Sequence, residues 1–248
     1  MNKLIIEVRI NEYAMRDENP HVPWTPEEIG REARAIQDAG ASIVHFHARA
    51  ADGSPAHGLE DYAAPIRAIR ANSDLMINPT LGQITKGGKL ERISHIEAFA
   101  NDPILKPEIV GLDPGSTNID IFDQQNRRFV SDGKVYVNAH DTLIAFTERF
   151  RTLGIKPALA CWSIPFMRSA AALMDMDQWK GPTWITGGQR IYSEGMPLCE
   201  RLLITRIDRD FDGDRFFPAD WQRYFTKLVS SKEGEYQGIK YAFEIWER

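Results

Sequence analysis

AGASIVHFHARAADG (residues 39–53) decides how the chain is read. Ser42–Arg49 alternates, so Ile43, His45, His47 and Arg49 fall on one face of a strand and Val44, Phe46 and Ala48 on the other. The apolar face asks for a covering layer. The imidazoles opposite ask for water, a polar partner or a metal. At i and i+2 they stand about 7 Å apart along the strand and point the same way. That spacing lets two nitrogens grip one metal ion. It is also the spacing of two polar residues lining a hydrated interior or a subunit contact. Arg49 follows, and Asp52-Gly53 turns the chain. Parallel α/β folds build their sites where a strand gives way to a loop.

Upstream, Lys3–Asn11 reads as a strand with Leu4, Ile6, Val8 and Ile10 on one face and Ile5, Glu7, Arg9 and Asn11 on the other. Its charges suit a polar barrel interior with an ion pair, or an exposed edge. Glu12 and Tyr13 mark its exit. Thr25-Pro26-Glu27-Glu28 predicts a helix start, with Thr25 as N-cap, Pro26 at N1 and Glu28 closing a capping box. This helix runs to about Asp38 and ends at Gly40. Downstream, Leu59–Ala71 is a helix with Tyr62, Ile66 and Ile69 on one face, and Leu75–Asn78 a strand running into Pro79-Thr80-Leu81-Gly82. Leu90–Ala100 is helical, and Ile109–Leu112 is a strand ending at Asp113-Pro114-Gly115-Ser116-Thr117-Asn118. Val135–Asn138 is extended, Asp141–Leu153 a helix with Leu143, Phe146 and Phe150 inward, and Pro157–Ser163 a fifth strand. Strands alternating with helices predict a parallel α/β barrel or open sheet. Of the other histidines, His57 falls in a turn and is expected to be solvated. His95 lies on a helix face, His140 at a helix start and His21 in a proline-rich loop.

With 248 residues the chain has room for one barrel or two small domains. A net charge of −5 leaves no basic footprint for nucleic acid. No apolar run reaches membrane length, and Met1 leads into a strand rather than a leader, so the expectation is a cytoplasmic protein without membrane partners. Cys161 and Cys199 have neither zinc nor redox spacing and suit a reducing compartment as plain core residues.

NEYAMRDENPHVPWTPEEI (11–29), AGASIVHFHARAADGSP (39–55), INPTLG (77–82), GLDPGSTN (111–118), KVYVN (134–138) and LGIKPALACW (153–162) together resemble, in order, the β-keto acid cleavage enzyme family. The resemblance covers about the first 175 residues. It implies a zinc-dependent (β/α)8 barrel that exchanges a β-keto acid with acetyl-CoA, giving acetoacetate and a new CoA thioester, with His45 and His47 as metal ligands. The glutamate that the family carries on its last strand as third ligand, and the arginine and aspartate beside it, have no counterpart. The acidic residues that some members carry on strand five correspond to Ala158 and Ala160. The acidic substrate contact after strand one corresponds to Tyr13, with Glu12 one position away. Glu7 or water is left to fill the coordination sphere.

Beyond about Gln178 a second resemblance begins. TWITGGQRIYSEGMPLCERLLITRIDRDFDGDRFFP (183–218) and QGIKYAFEIWER (237–248) are similar to the C-terminal half of dihydrofolate reductase. Thr183–Thr186 reads as a strand, 189–200 as a helix, Leu202–Ile207 as a strand, and Tyr224–Ser230 with Lys240–Glu247 as an antiparallel hairpin. Phe216, Phe217, Trp221, Phe243 and Trp246 are expected to pack as core. Gly187-Gly188 lets backbone approach a phosphate at a helix N-terminus, or simply makes a tight turn. The resemblance places Gly187, Gly188, Gln189 and Arg190 along an NADPH pyrophosphate, with Thr205 as a further contact. The reductase's pterin-binding half is absent.

The expected organisation is therefore 1–178 as a cleavage-enzyme barrel portion and 179–248 as a reductase-like segment with a C-terminal hairpin. The expected function is metal-dependent β-keto acid cleavage by a homo-oligomer. Zn²⁺ on His45 and His47 would polarise the keto oxygen. Thr80, Ser116 and Asn118 would orient the carboxylate, Asn11 would touch substrate, and Glu12 and Arg49 would serve catalysis. The alternatives are an NADPH-binding oxidoreductase and a non-catalytic scaffold.

Overall fold

A computed structural model describes residues 5–17, 19–82, 88–119, 121–131, 133–176, 189–213, 216–236 and 238–248. The chain divides into two compact units. The larger comprises Leu4–Ala160 and Ser169–Thr183, and the smaller comprises Met1–Lys3, Cys161–Arg168 and Trp184–Arg248.

In the larger unit, β1 (Glu7–Arg9), β2 (Ile43–Phe46) and β3 (Met76–Pro79) form a parallel sheet in the order β1-β2-β3. Its register sets Arg9 beside His45 and His45 beside Asn78. Two helices follow the strands, α1 (Pro26–Asp38) and α2 (Leu59–Asn72). The α1 capping box forms as the sequence predicts, with Thr25 accepting from Glu28 N and the Glu28 carboxylate accepting from Thr25 N. The even residues of β2 meet these helices: Val44, Phe46 and Ala48 join Ile29, Ala33, Ile36, Tyr62, Ile66 and Ile69 in one apolar core. Gly30 lets α1 and α2 approach closely, since a Cβ there would stand 2.9 Å from the Ala68 carbonyl oxygen. With the even residues committed to the helices, His45 and His47 must face the other way.

A 3₁₀ turn (Leu90–Ile93) and α3 (Ser94–Phe99) lead to β4 (Ile109–Leu112). A loop then carries two antiparallel pairs, β5 (Thr117–Asn118) with β8 (Val135–Tyr136), and β6 (Phe122–Asp123) with β7 (Arg128–Phe129). Helix α4 (His140–Leu153) buries Leu143, Phe146 and Phe150, and β9 (Lys156–Leu159) pairs parallel with β4. The Glu108 carboxylate accepts from Ile77 N, and Asn78 Oδ1 accepts from Gly111 N at 2.7 Å, so side chains stitch β3 to β4.

The five parallel strands are those of the sequence reading, but they do not close. Among the described residues they form a three-stranded and a two-stranded sheet rather than a complete barrel. Closure takes eight strands with matched tilt and shear, and the described parallel strands number five. β8 falls on the extended piece read at Val135–Asn138, whereas its partner β5, the β6–β7 pair and helix α5 (Ile164–Asp175) were not anticipated.

The smaller unit holds α6 (Gln189–Gly195) and an antiparallel sheet of β10 (Arg201–Ile207), β11 (Lys227–Tyr236) and β12 (Ile239–Glu247) in the order β10-β12-β11, with an irregularity at Leu228/Ser230. The expected hairpin is present. Trp221 meets Trp246 edge-on at 5.1 Å. Phe216 and Phe243 depart from the core reading: they are 68% and 39% exposed. The expected strand Thr183–Thr186 lies outside the described residues.

Candidate metal centre

The site begins with a turn. Asn11–Ala14 closes through Ala14 N donating to the Asn11 carbonyl at 3.0 Å, and Glu12 takes φ +44°, a left-handed conformation uncommon for a residue with a Cβ. Such strain persists only where surrounding contacts enforce it, and Arg49 does so. Its guanidinium donates to the carbonyls of Glu12 (2.6 Å), Ala14 (3.1 Å) and Gly53 (2.6 Å), tying the loop after β1 to the loop after β2. Asn11 supplies a second tie. Its side chain accepts from His47 N at 2.8 Å and donates to the His47 carbonyl at 3.0 Å and to the Pro23 carbonyl at 3.1 Å.

These contacts bring three donors together. His45 Nε2 and His47 Nε2 are 3.1 Å apart, and Glu12 places its two carboxylate oxygens 3.1 Å from His47 Nε2 and 3.8 Å from His45 Nε2. One ligand atom from each lies within 4.8 Å of the others. Both rings are buried, and Glu12 remains partly open. The Tyr13 ring stands edge-on to His47 at 4.4 Å, and burial, then Glu12, pushes its hydroxyl up to about 12. The His47 hydrogen bond is the chief cause holding the Glu12 carboxyl down at about 2. Burial first, and then the neighbouring His47, lowers His45 to about 4, so its ring is neutral at pH 7. Two imidazoles and a carboxylate are the donor set that zinc takes, and two nitrogens held about 2.0–2.1 Å from one ion are roughly 3.0–3.4 Å apart. The observed 3.1 Å fits.

Further along the same sheet face, Gly111 directs its Cβ position at the Asn78 amide (3.6 Å), and Asn78 Nδ2 reaches Glu7 at 3.3 Å. Glu7 also pairs with Arg9 at 3.7 Å, the ion pair the strand pattern suggested. Asp113, two residues after Gly111, accepts a 2.6 Å hydrogen bond from the Tyr136 hydroxyl. Burial pushes its carboxyl up to about 6, against the pull of that bond and of Arg9, with Glu12 raising it further. Sequence reading named Asp113 only as the start of a strand-end loop. Its place at the mouth of β4 was the available signal.

The other residues fall as follows. Thr80 opens the loop after β3, and its hydroxyl accepts weakly from Gly82 N at 3.5 Å. Ser116 Oγ accepts from Asn138 N at 2.9 Å, and Asn118 is exposed in β5. Gln189 and Arg190 are exposed at the start of α6, where Arg190 pairs with Glu194 at 3.3 Å. Thr205 is exposed in β10 opposite Phe243. Gly187 and Gly188 lie outside the described residues. His57 is not solvated. It is buried, with Nδ1 2.9 Å from the Tyr62 hydroxyl and Nε2 3.2 Å from the Glu91 carbonyl. His95, fully buried, stacks on Tyr62 at 3.8 Å. Neither joins the cluster around His45.

Comparison with known proteins bears on this geometry. The family model described as beta-keto acid cleavage enzyme matches residues 3–212. The chain is 35% identical over 159 residues to the 3-keto-5-aminohexanoate cleavage enzyme of Acetoanaerobium sticklandii, covering 63% of this chain and 52% of that one. It is 26% identical over 214 residues to the 3,5-dioxohexanoate:acetyl-CoA acetone transferase of Paraburkholderia graminis, covering 78% and 66%. A smaller part, 74 residues or 26% of the chain, is 43% identical to the dihydrofolate reductase of Sus scrofa, covering 39% of it. The chain spans about half the length of the cleavage enzymes it matches first. With the model matching well over half of its residues, the chain belongs to the beta-keto acid cleavage enzyme family.

Proposed function

We propose that this chain binds Zn²⁺ through His45, His47 and Glu12 and acts on a β-keto acid, with acetyl-CoA as acceptor, to give acetoacetate and a new acyl-CoA. The observation that carries this reading is the convergence of the three side chains at the C-terminal ends of β1 and β2, in a chain of this family. When bound, zinc supplies a Lewis acid that polarises a keto oxygen, worth several kcal/mol. The names of two relatives, a keto acid cleavage enzyme and a dioxo acid:acetyl-CoA transferase, support the substrate class.

The chain's own residues supply the rest. Arg49 and Asn11 orient rather than react, because their polar atoms are occupied by loop carbonyls and by the His47 backbone. Glu12 holds the third ligand position that the family fills from its last strand. Thr80, Ser116 and Asn118, on the loops after β3 and β4, offer hydroxyl and amide groups to a substrate carboxylate. We take 1–178 as the cleavage-enzyme portion and 179–248 as the reductase-like portion. The reductase relatives favour a second, weaker reading, NADPH binding through Gly187, Gly188, Gln189, Arg190 and Thr205.

The test is a panel of β-keto acids assayed with acetyl-CoA for acetoacetate, beside an NADPH titration. The expected result is slow, zinc-dependent acetoacetate formation, weak NADPH binding and no reduction of dihydrofolate. Turnover of dihydrofolate without acetoacetate formation would reverse the order of the two readings.

A further inference from the structure

Cleaving a β-keto acid requires more than a polarised carbonyl, because a proton must leave carbon. The family residues associated with that step sit on a closing strand that this sequence does not reproduce, and Glu12 is engaged with the imidazoles. Among the described residues, two further carboxylates lie on the histidine face of the parallel strands: Glu7, which is taken up by Arg9 and the Asn78 amide, and Asp113. The burial pattern of β4 points Val110 and Leu112 into the apolar interior, which leaves Gly111 and Asp113 on the opposite face. That face is fixed independently by Gly111, whose Cβ direction runs at Asn78, the register neighbour of His45. Asp113 therefore lies at the C-terminal mouth of β4 on the face that carries the histidines.

Its surroundings differ from those of a surface aspartate. The Asp113 side chain has no arginine or lysine ion pair among the described residues and accepts from Tyr136 at 2.6 Å. Asn138 Nδ2 donates to its backbone carbonyl at 2.8 Å, and Arg92 NH1 anchors that asparagine through Oδ1 at 2.8 Å. The strand end is thus clamped from behind while the side chain stays partly open. Arg9, Glu12 and Arg92 are the charged groups that act on it.

We propose that Asp113, held by the Tyr136 hydroxyl, is the general base that removes the C2 proton of the β-keto acid in this chain. This rests on the function proposed above. In the step, the C2–H bond breaks, the proton forms an O–H bond on Asp113, and the bonding electron pair passes through C2–C3 to the keto oxygen. Returning the proton regenerates the carboxylate, so no further reactant is needed. A positioned base of this kind contributes about 10²–10⁴-fold. A carboxyl titrating near 6 is ionised at neutral pH yet basic enough to take a proton from carbon.

The experiment follows loss of the C2–H signal of a β-keto acid in D₂O by proton NMR, using the full chain loaded with Zn²⁺ and metal content measured on each sample. Wild type is expected to exchange C2 well above the buffer background. Asp113→Asn, which can still accept from Tyr136, should bind zinc normally and lose at least 100-fold in exchange rate. Tyr136→Phe should keep exchange but move its pD midpoint upward, because the lost hydrogen bond favoured the carboxylate; a merely structural role would leave that midpoint in place. Zinc-loaded Asp113→Asn exchanging at the wild-type rate, or zinc-loaded wild type exchanging at background, would overturn the base assignment while leaving the metal reading intact. A wild type that takes up no zinc would overturn the metal reading and this proposal with it.

Discussion

At the scale of single residues, the larger unit carries groups that cost stability where they stand. Glu12 holds a left-handed backbone, and Asp113 an ionised carboxyl in a poor solvent for charge. The Asp113 cost has a sign that can be measured. Its carboxyl titrates near 3.8 when unfolded and near 6 in the fold, so below 3.8 both states are protonated and nothing is lost. As pH rises through 6 the folded chain must ionise a group that resists it, a penalty on the order of 3 kcal/mol. Asp113→Asn is therefore expected to raise the thermal midpoint at pH 8 and to change it little at pH 4. Equal shifts at both pH values would contradict the buried-carboxyl account. Such residues are hard to recognise in a sequence. Glu12 meets the histidines only through its turn, and Asp113 meets Tyr136 across 23 residues of chain.

At the scale of elements, what was legible was local. The period of two in β2 separated His45 and His47 from Val44 and Phe46, and the structure keeps that division. The Thr25–Glu28 box set the start of α1, and Tyr62, Ile66 and Ile69 became the buried face of α2. Contacts between elements were not legible. His57 looked like a solvated turn residue because nothing in its neighbourhood announces that Tyr62 and Glu91 will enclose it. Its ring in turn fills the space beside Gly82, a residue at φ +64° where a Cβ would collide with the imidazole. Gly82→Ala is therefore expected to lose roughly 2–4 kcal/mol in chemical denaturation, from left-handed strain plus overpacking. Gly40→Ala, at φ +103° with open space around it, should suffer the backbone strain alone and lose less. A similar loss at both positions would show that His57 does not hold the loop after β3.

At the scale of the whole molecule, the alternation of strands and helices gave the α/β class, and the parallel registers of β1–β3 and of β4 with β9 bear it out. The expectation of a closed barrel came from family resemblance, and closure depends on strands that lie far apart in sequence. The antiparallel sheet of the smaller unit follows the hairpin pattern read from the C-terminal residues. The chain belongs to the beta-keto acid cleavage enzyme family and spans about half the length of the relatives it matches first, which poses one question: whether the part it shares with them holds a metal ion. The most direct answer is the zinc content of the purified full chain by elemental analysis, with His45→Ala, His47→Ala and Glu12→Gln alongside. One zinc per wild-type chain, lost in either histidine variant and held more weakly in Glu12→Gln, is the predicted result. A wild type that is metal-free after exposure to zinc, and that keeps its fold in chelator, would contradict it.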